Sequence, residues 1–334
     1  MINPNNIQNI NEKLDPMWVT GIVDAEGNFS INYNEKTDKF SAIFKVTQKS
    51  TSLNMLVALK NFFNCGNIVI DNRETDGYKF NVSKLSDLID IIIPHFDKYP
   101  LVGSKHLDFL SFKKAILLRK SVAGSEGVKN KDKILFYKNS MNKKRSYEER
   151  WNYLNKLSFN LHPAWVQAFV DGEGCFQCRI ADTVSRNSAY ISVNPTLEIA
   201  QNSHDVEVLN AIKEYFGVGY LKPKYDIKDL NESKKSRRVN RLIINQEEIV
   251  INFFDKYPLL TSKNLDYSDW KLIIELKKKN LHRTPEGKQE MLNIKLGMNS
   301  NRLLDTNIIN ISDKLKLINN NPHVSETSPP TEEE

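Results

Sequence analysis

Two stretches of the chain, WVTGIVDAEGNFSI at Trp18–Ile31 and WVQAFVDGEGCFQCRI at Trp165–Ile180, carry the same pattern 147 residues apart. Pro16 and Pro163 precede the apolar runs, where proline is tolerated because the first helical N–H groups have no partner anyway. Gly27 and Gly174 end them. Beyond the glycines the period changes to two: Phe29, Ile31 and Tyr33 alternate with Asn28, Ser30, Asn32 and Asn34, and Phe176, Cys178 and Ile180 alternate with Gln177 and Arg179. That is a strand with one wet face. Within the helices, Gly21 and Ala25 are four apart, as are Ala168 and Gly172, so each helix offers a groove of small residues through which two helices can approach closely. Each helix ends in the same acidic pair, Asp24 with Glu26 and Asp171 with Glu173.

The repetition extends outward. VTQKS at Val46–Ser50 returns as IAQNS at Ile199–Ser203, and FNCG at Phe63–Gly66 as FGVG at Phe216–Gly219. FDKYPLVGSKHLDF at Phe96–Phe109 returns as FDKYPLLTSKNLDY at Phe254–Tyr267. Blocks kept in one order identify an internal duplication. The offset grows from 147 through 153 to 158, which places loop insertions in the second copy, at 181–190 and 225–240. Each copy reads as helix, two strands, helix, two strands, helix, with further helices at 105–119 and 263–279. SVAGSEGVKNKDK (121–133) reads as loop and the charged KNSMNKKRSYEERWNYLNKL as a partly helical linker. The expected partition is an N-terminal arm 1–16, a first repeat 17–123, a linker 124–160, a second repeat 161–300 and a tail 301–334, whose end has the composition of a disordered segment.

Composition bounds the reading. The 334 residues are 40% hydrophobic and 26% charged, enough for two domains with real cores, which excludes wholesale disorder and disulfide scaffolds. The net charge is +6; the last 34 residues hold 3 basic and 6 acidic groups, so the first 300 carry 44 against 35, or +9, a surplus that suits a polyanionic partner. Three cysteines, Cys65, Cys175 and Cys178, make no disulfide framework, and the Cys175 to Cys178 spacing puts the pair on opposite strand faces, against a joint metal site. Histidines at 95, 106, 162, 204, 282 and 323 lack ligand spacing, so zinc chemistry has no support. The longest apolar run, Leu88–Pro94, is far short of the roughly 20 residues of a membrane span, and no targeting peptide is visible at the start.

An acid before a glycine, met once, reads as solvated surface; met in both copies beside the same small residues, it does not. If the helices pack side by side about a pseudo-twofold axis, Glu26 and Glu173 emerge together where the wet strand faces begin. Two close carboxylates repel unless a cation sits between them, and a divalent metal that keeps its waters and takes phosphate oxygens answers that need.

VTGIVDAEG at 19–27 and VQAFVDGEG at 166–174 resemble the motif of the LAGLIDADG homing endonucleases in their single-chain, two-repeat form, over about residues 14–280. The resemblance implies an α+β fold of two pseudo-symmetric αββαββα repeats packed through the motif helices, with saddle-shaped antiparallel sheets lying on DNA. It implies a monomer that cuts both strands of a long asymmetric duplex with Mg2+ (Mn2+ substituting), with double-stranded DNA as partner and no membrane. By motif position Glu26 and Glu173 match the metal-binding catalytic acids, with glutamate in place of the aspartate of the motif's name. Gln48 and Gln201 match the polar active-site position, and Lys105 and Lys263 a lysine near the scissile phosphate, while Asp24 and Asp171 are expected to tie the helices rather than bind metal.

Base readout from a two-stranded ribbon needs mixed polar side chains at period two. The candidates are Ser30, Asn32, Asn34, Lys39, Ser41, Lys45, Lys79 and Asn81 in the first copy. In the second they are Gln177, Arg179, Asn194, Thr196, Glu198, Lys222, Lys224, Arg238 and Arg241. Their difference between copies predicts a non-palindromic target. Two other functions compete: an RNA-splicing maturase acting on its own intron RNA, and a non-cleaving DNA-binding protein, for which one acid should be missing. Heavy use of Asn, Ile and Lys fits an AT-rich gene such as a mitochondrial intron.

Overall fold

Asp15 accepts the Met17 N–H at 2.7 Å and Pro16 starts the first helix, α1 (Pro16–Glu26). The computed structural model describes residues 14–120, 127–185, 188–223, 239–299 and 302. Helix α1 turns directly into β1 (Gly27–Asn34), followed by β2 (Lys39–Lys49), α2 (Leu53–Phe63), β3 (Asn67–Asn72) and β4 (Gly77–Val82). A short α3 (Leu85–Asp87) widens into a π-helical turn at Leu88–Ile92 before α4 (Ile93–Lys98) and α5 (Lys105–Lys120). The widening falls where Pro94 lacks an N–H and its ring would meet the preceding turn; Asn252 stands at the matching place in the second copy, where the helix is regular. Next come α6 (Gly127–Asn139) and α7 (Tyr147–Leu154). The second copy follows with α8 (Pro163–Glu173), β5 (Gly174–Ser185), β6 (Ser188–Asn202), α9 (Val206–Phe216), β7 (Tyr220–Pro223), β8 (Val239–Ile244), α10 (Glu247–Lys256), α11 (Lys263–Lys278) and α12 (Pro285–Leu296).

The expected α+β architecture of two αββαββα repeats is the observed one. The strands form two four-stranded antiparallel sheets of identical order, β1-β2-β4-β3 and β5-β6-β8-β7. Each sheet buries one face under the helices of its own copy. Phe29 lies fully buried against Phe44, Phe96, Phe109 and Phe112, with ring centroids 5.2 to 5.5 Å away. Phe176 repeats the arrangement with Phe254, Tyr267 and Trp270 at 5.4 to 5.7 Å. The duplication seen in the linear pattern is thus a duplication of two aromatic cores.

Gly27 and Gly174 end the motif helices in extended conformation, at ψ 157° and 155°, rather than as left-handed caps. Glycine is required by proximity: a Cβ at either would lie 2.5 Å from the Cγ1 of Val23 or Val170.

Two readings need correction. The 181–190 insertion is not a loop: β5 and β6 span 12 and 15 residues against 8 and 11 for β1 and β2, and Thr183 pairs with Tyr190 across the lengthened hairpin. Its β-branched and aromatic residues favour strand. The 225–240 insertion lies outside the described residues up to 238. Residues 127–133, read as loop, begin α6, because burial of Ile134 and Met141 in the first core holds this helix against α5 and outweighs a glycine start.

The likeness of the two halves continues through α6. MNKKR at Met141–Arg145 matches MNSNR at Met298–Arg302, a block the linear comparison missed. Met141 and Met298 are both 2% exposed, and Asn142 and Asn299 both take a left-handed φ, 55° and 57°. Asn142 Nδ2 donates to the Phe29 carbonyl and its N–H to Asp108; Asn299 does the same to Phe176 and Asp266. Arg145 then pairs with Asp108 and Arg302 with Asp266, each at 2.9 Å through Nε. The signal was short, and three of five identical residues are easily passed over.

Candidate active site

The two copies meet along α1 and α8. A Cβ on Gly21 would lie 2.5 Å from the Trp165 carbonyl oxygen and 2.9 Å from Ala168 Cβ, and one on Gly172 would collide with Ala25 Cβ. The small residues therefore interlock as expected, glycine of one helix against alanine of the other. Asp24 accepts the N–H groups of Val102 and Gly103 and the Trp165 indole, at 2.8, 3.2 and 2.8 Å. Asp171 accepts from the Leu260 and Thr261 N–H groups and the Thr261 hydroxyl. Both aspartates are buried in this tying role; burial pushes the Asp24 carboxyl up to about 6 against the opposing pull of its donors.

Two residues beyond, the helices deliver Glu26 and Glu173 to a shared site at the head of the two sheets. Burial raises both carboxyls; for Glu173 the neighbouring Glu26 charge adds to burial, and its pKa reaches about 7. Gln48, near the end of β2, hydrogen-bonds Glu26, and Gln201 at the end of β6 hydrogen-bonds Glu173. Lys105 and Lys263, at the starts of α5 and α11, act on both carboxylates, and burial lowers both ammonium groups. The six residues singled out for chemistry are thus brought together.

The lysines are not solvated helix starts. Lys105 Nζ donates to the carbonyls of Val23 and Ala25 at 2.8 and 3.4 Å, and Lys263 Nζ to those of Val170 and Gly172 at 3.2 and 2.9 Å. Each ammonium covers the C-terminal carbonyls of its own copy's motif helix. It offsets the negative helix end, where a glutamate is otherwise disfavoured.

The wet faces extend from this centre. In the first sheet Asn32 pairs with Ser41, Asn34 with Lys39, and Lys45 with Asn81, so the predicted residues Ser30, Asn32, Asn34, Lys39, Ser41, Lys45, Lys79 and Asn81 share one face. In the second, Gln177 pairs with Thr196, Arg179 with Asn194 and Lys222 with Arg241, again on one face. Lys224 and Arg238 lie outside the described residues. Some candidates already have partners: Arg241 holds Glu198 at 2.8 Å, and Lys79 and Lys45 share Asp71. Asn28, Thr47, Tyr190 and Tyr220 join these faces by register and were not among the candidates, although the period-two pattern places Asn28 there.

The donor set suits a hard divalent cation. Two carboxylates face each other with amides beside them, and among the described residues no cluster of three or more acidic, histidine or cysteine side chains forms a closed metal cage. An ion held by one or two carboxylates keeps positions for water and phosphate oxygen, as Mg2+ does.

The profile of the family described as LAGLIDADG endonuclease matches residues 19–116 and again 168–274. The chain belongs to the LAGLIDADG endonuclease family. A probable intron-encoded endonuclease of Neurospora crassa is 29% identical over 310 residues, 84% of this chain; the chain spans 64% of that relative's length. Among solved structures, the meganuclease I-SmaMI bound to uncleavable DNA is 29% identical with a TM-score of 0.74, covering 88% of this chain and 99% of that one. I-SmaMI bound to an uncleaved DNA target in the presence of calcium ions is similar at TM-score 0.71 and 29% identity, covering 86% and 99%. The LAGLIDADG fold, with its two repeats in a single chain, is therefore the frame in which the paired glutamates stand.

Proposed function

We propose that this chain is a site-specific homing endonuclease that hydrolyses both strands of a long, asymmetric DNA duplex. It works as a monomer with Mg2+ as the metal and Mn2+ able to substitute. The observation that carries the reading is the meeting of Glu26 and Glu173 at the ends of interlocked helices, above two polar sheet faces. Glu26 and Glu173 would hold the ion, which supplies when bound a Lewis acid that activates water and stabilises the leaving oxygen of a phosphodiester. Gln48 and Gln201 orient the two carboxylates through their side-chain hydrogen bonds. Lys105 and Lys263 keep positive charge beside the site, fixed by two backbone carbonyls each, so little reorganisation is needed when phosphate arrives. The side chains of the two sheets differ at nearly every matched position, which supports a target without a palindrome. The intron-encoded relatives and the Asn, Ile and Lys bias support a mitochondrial intron origin.

Selection of cleaved molecules from randomised duplex DNA with Mg2+ tests the assignment. A single long consensus cut on both strands is the expected result; absence of any cleaved product with Mg2+ or Mn2+ overturns it.

A further inference from the structure

A cleft of about 1460 Å³ opens on one side of the paired glutamates. Glu173, Gln201 and Lys105 line its inner part, Asn28 and Ser30 belong to the first sheet's wet face, and Ser203 lies on the second copy. The turn Asn142–Lys144 also lines it, bringing Lys143 and Lys144, both exposed, to the same space. The turn is held at both ends. Asn142 is fixed on the Phe29 carbonyl and Asp108, and Arg145, 8% exposed, is fixed on Asp108, the Leu107 carbonyl and Ser111. Helix α7 then ties the segment to both copies, through Arg150 to Ser104 and through the Tyr147 hydroxyl to the Ser203 carbonyl.

Among the described residues no acid of the cleft pairs with these lysines, Glu173 being bonded by Gln201 and Lys144 Nζ donating to the neutral Asn139 side chain. Asp108 is engaged by Arg145 and Arg150, Asp24 by backbone and indole N–H groups, and Asp205 by the Ser104 N–H and His204. The second copy supplies the control. Asn299 and Arg302 reproduce the two anchors on Phe176 and Asp266, yet the residues between them are Ser300 and Asn301. The scaffold is duplicated and the charge is not.

We infer that Lys143 and Lys144 form a one-sided clamp for the phosphodiester backbone of the bound duplex, beside the paired glutamates, with no counterpart on the other half. The inference rests on the endonuclease reading and adds to it a polarity: one flank of the DNA is gripped through phosphate where its pseudo-symmetric partner is not. The cleft is far larger than a single phosphate ion, and residues of the first sheet, Asn28 and Ser30, line it together with the lysine turn. Two lysines with no alternating pattern give charge without base discrimination.

The test compares the wild-type chain with Lys143→Ser/Lys144→Asn, which copies the second repeat's residues onto the first. Affinity is measured for the duplex recovered by cleavage selection, in calcium so that it stays uncut, at about 50 and 200 mM salt. Each phosphate contact contributes a slope of about 0.9 in log affinity against log salt. The wild-type chain should therefore lose roughly tenfold more affinity over that range than the variant. Phosphate ethylation interference should fade on one flank only, and single-base preferences should stay unchanged. Equal salt slopes, or interference lost on both flanks, overturn the clamp while leaving the endonuclease reading intact. A wild-type chain that binds no duplex at all overturns both.

Discussion

The Trp165 indole of the second motif helix donates to Asp24 of the first at 2.8 Å, whereas the indole N–H of its counterpart Trp18, 1% exposed, has no partner among the described residues. The matching acceptor, Asp171, is occupied by the Thr261 hydroxyl, which stands where the first copy has Gly103. The two aspartates thus differ in their third donor: an indole from the other copy on Asp24, a hydroxyl from its own copy on Asp171. Trp165→Phe should cost about 1 to 3 kcal/mol more than Trp18→Phe, because it leaves a buried carboxylate short of a donor. Urea denaturation of the two variants decides it; equal losses would mean that the indole bond to Asp24 contributes nothing.

Interlocked glycines lead to a second expectation. Gly21→Leu and Gly172→Leu each force volume against Trp165 backbone or Ala25, and should each destabilise by roughly 1 to 3 kcal/mol or more. Melting temperature is the readout. An unchanged midpoint for both would separate the helices.

Replacing one of the two proposed catalytic carboxylates isolates the chemistry. Glu26→Gln and Glu173→Gln keep size and hydrogen-bonding capacity but remove the charge of a proposed metal ligand, so double-strand cleavage should vanish while DNA affinity stays within a few-fold of wild type. Gel assays of cleavage beside binding isotherms make the comparison. Undiminished cleavage by either variant would remove that glutamate from the mechanism.

The raised carboxyls set a pH dependence. Glu173 titrates near 7 and Asp24 near 6, above their unfolded values, so the folded chain holds more protons than the unfolded chain between about pH 4 and 7. Their contribution to stability is fully present below about pH 4 and is lost as pH rises to 7. On the proposed metal site, a divalent ion that needs the ionised glutamates would oppose that loss. Added Mg2+ should therefore raise Tm clearly at pH 8 and barely at pH 5, and cleavage should fall as pH drops below about 7. A metal-induced shift of equal size at both pH values would place the binding away from these acids.

The last test reads the second sheet. Arg179, exposed on the wet face opposite Asn194, should contact a base edge. Arg179→Ala should cost about 1 to 3 kcal/mol and relax discrimination at one position of the target. Binding across a panel of single-base variants is the measurement; an equal loss for every variant would make this strand a phosphate platform.

What could be read from the linear chain followed periodicity. The motif helices, their small-residue faces and the gathering of six polar residues at the helix ends were legible because each signal occurs twice at fixed spacing, and the sheet faces because alternation reports the pleat. What escaped depended on partners distant in sequence. Lys105 and Lys263 were expected near the scissile phosphate, and what the linear chain did not state is their bonds to the carbonyls at the motif helix ends, which depend on how α5 and α11 return to those ends. The role of Arg145 and Arg302 was hidden for the same reason: a buried arginine is recognisable only once Asp108 and Asp266 lie beside it. The pairing of Arg241 with Glu198 follows from strand register, which neither segment states alone.

The longer hairpin of the second copy gives the molecule a long arm and a short one. Strand β5 exceeds β1 by four residues, 12 against 8, which at about 3.3 Å per residue adds roughly 13 Å of reach. Along a duplex rising about 3.4 Å per base pair, that is close to four further steps on one side. On the endonuclease reading proposed above, a cut made at the paired glutamates is expected off-centre in the recognised sequence, with the fragment under the second sheet carrying the longer remnant of it.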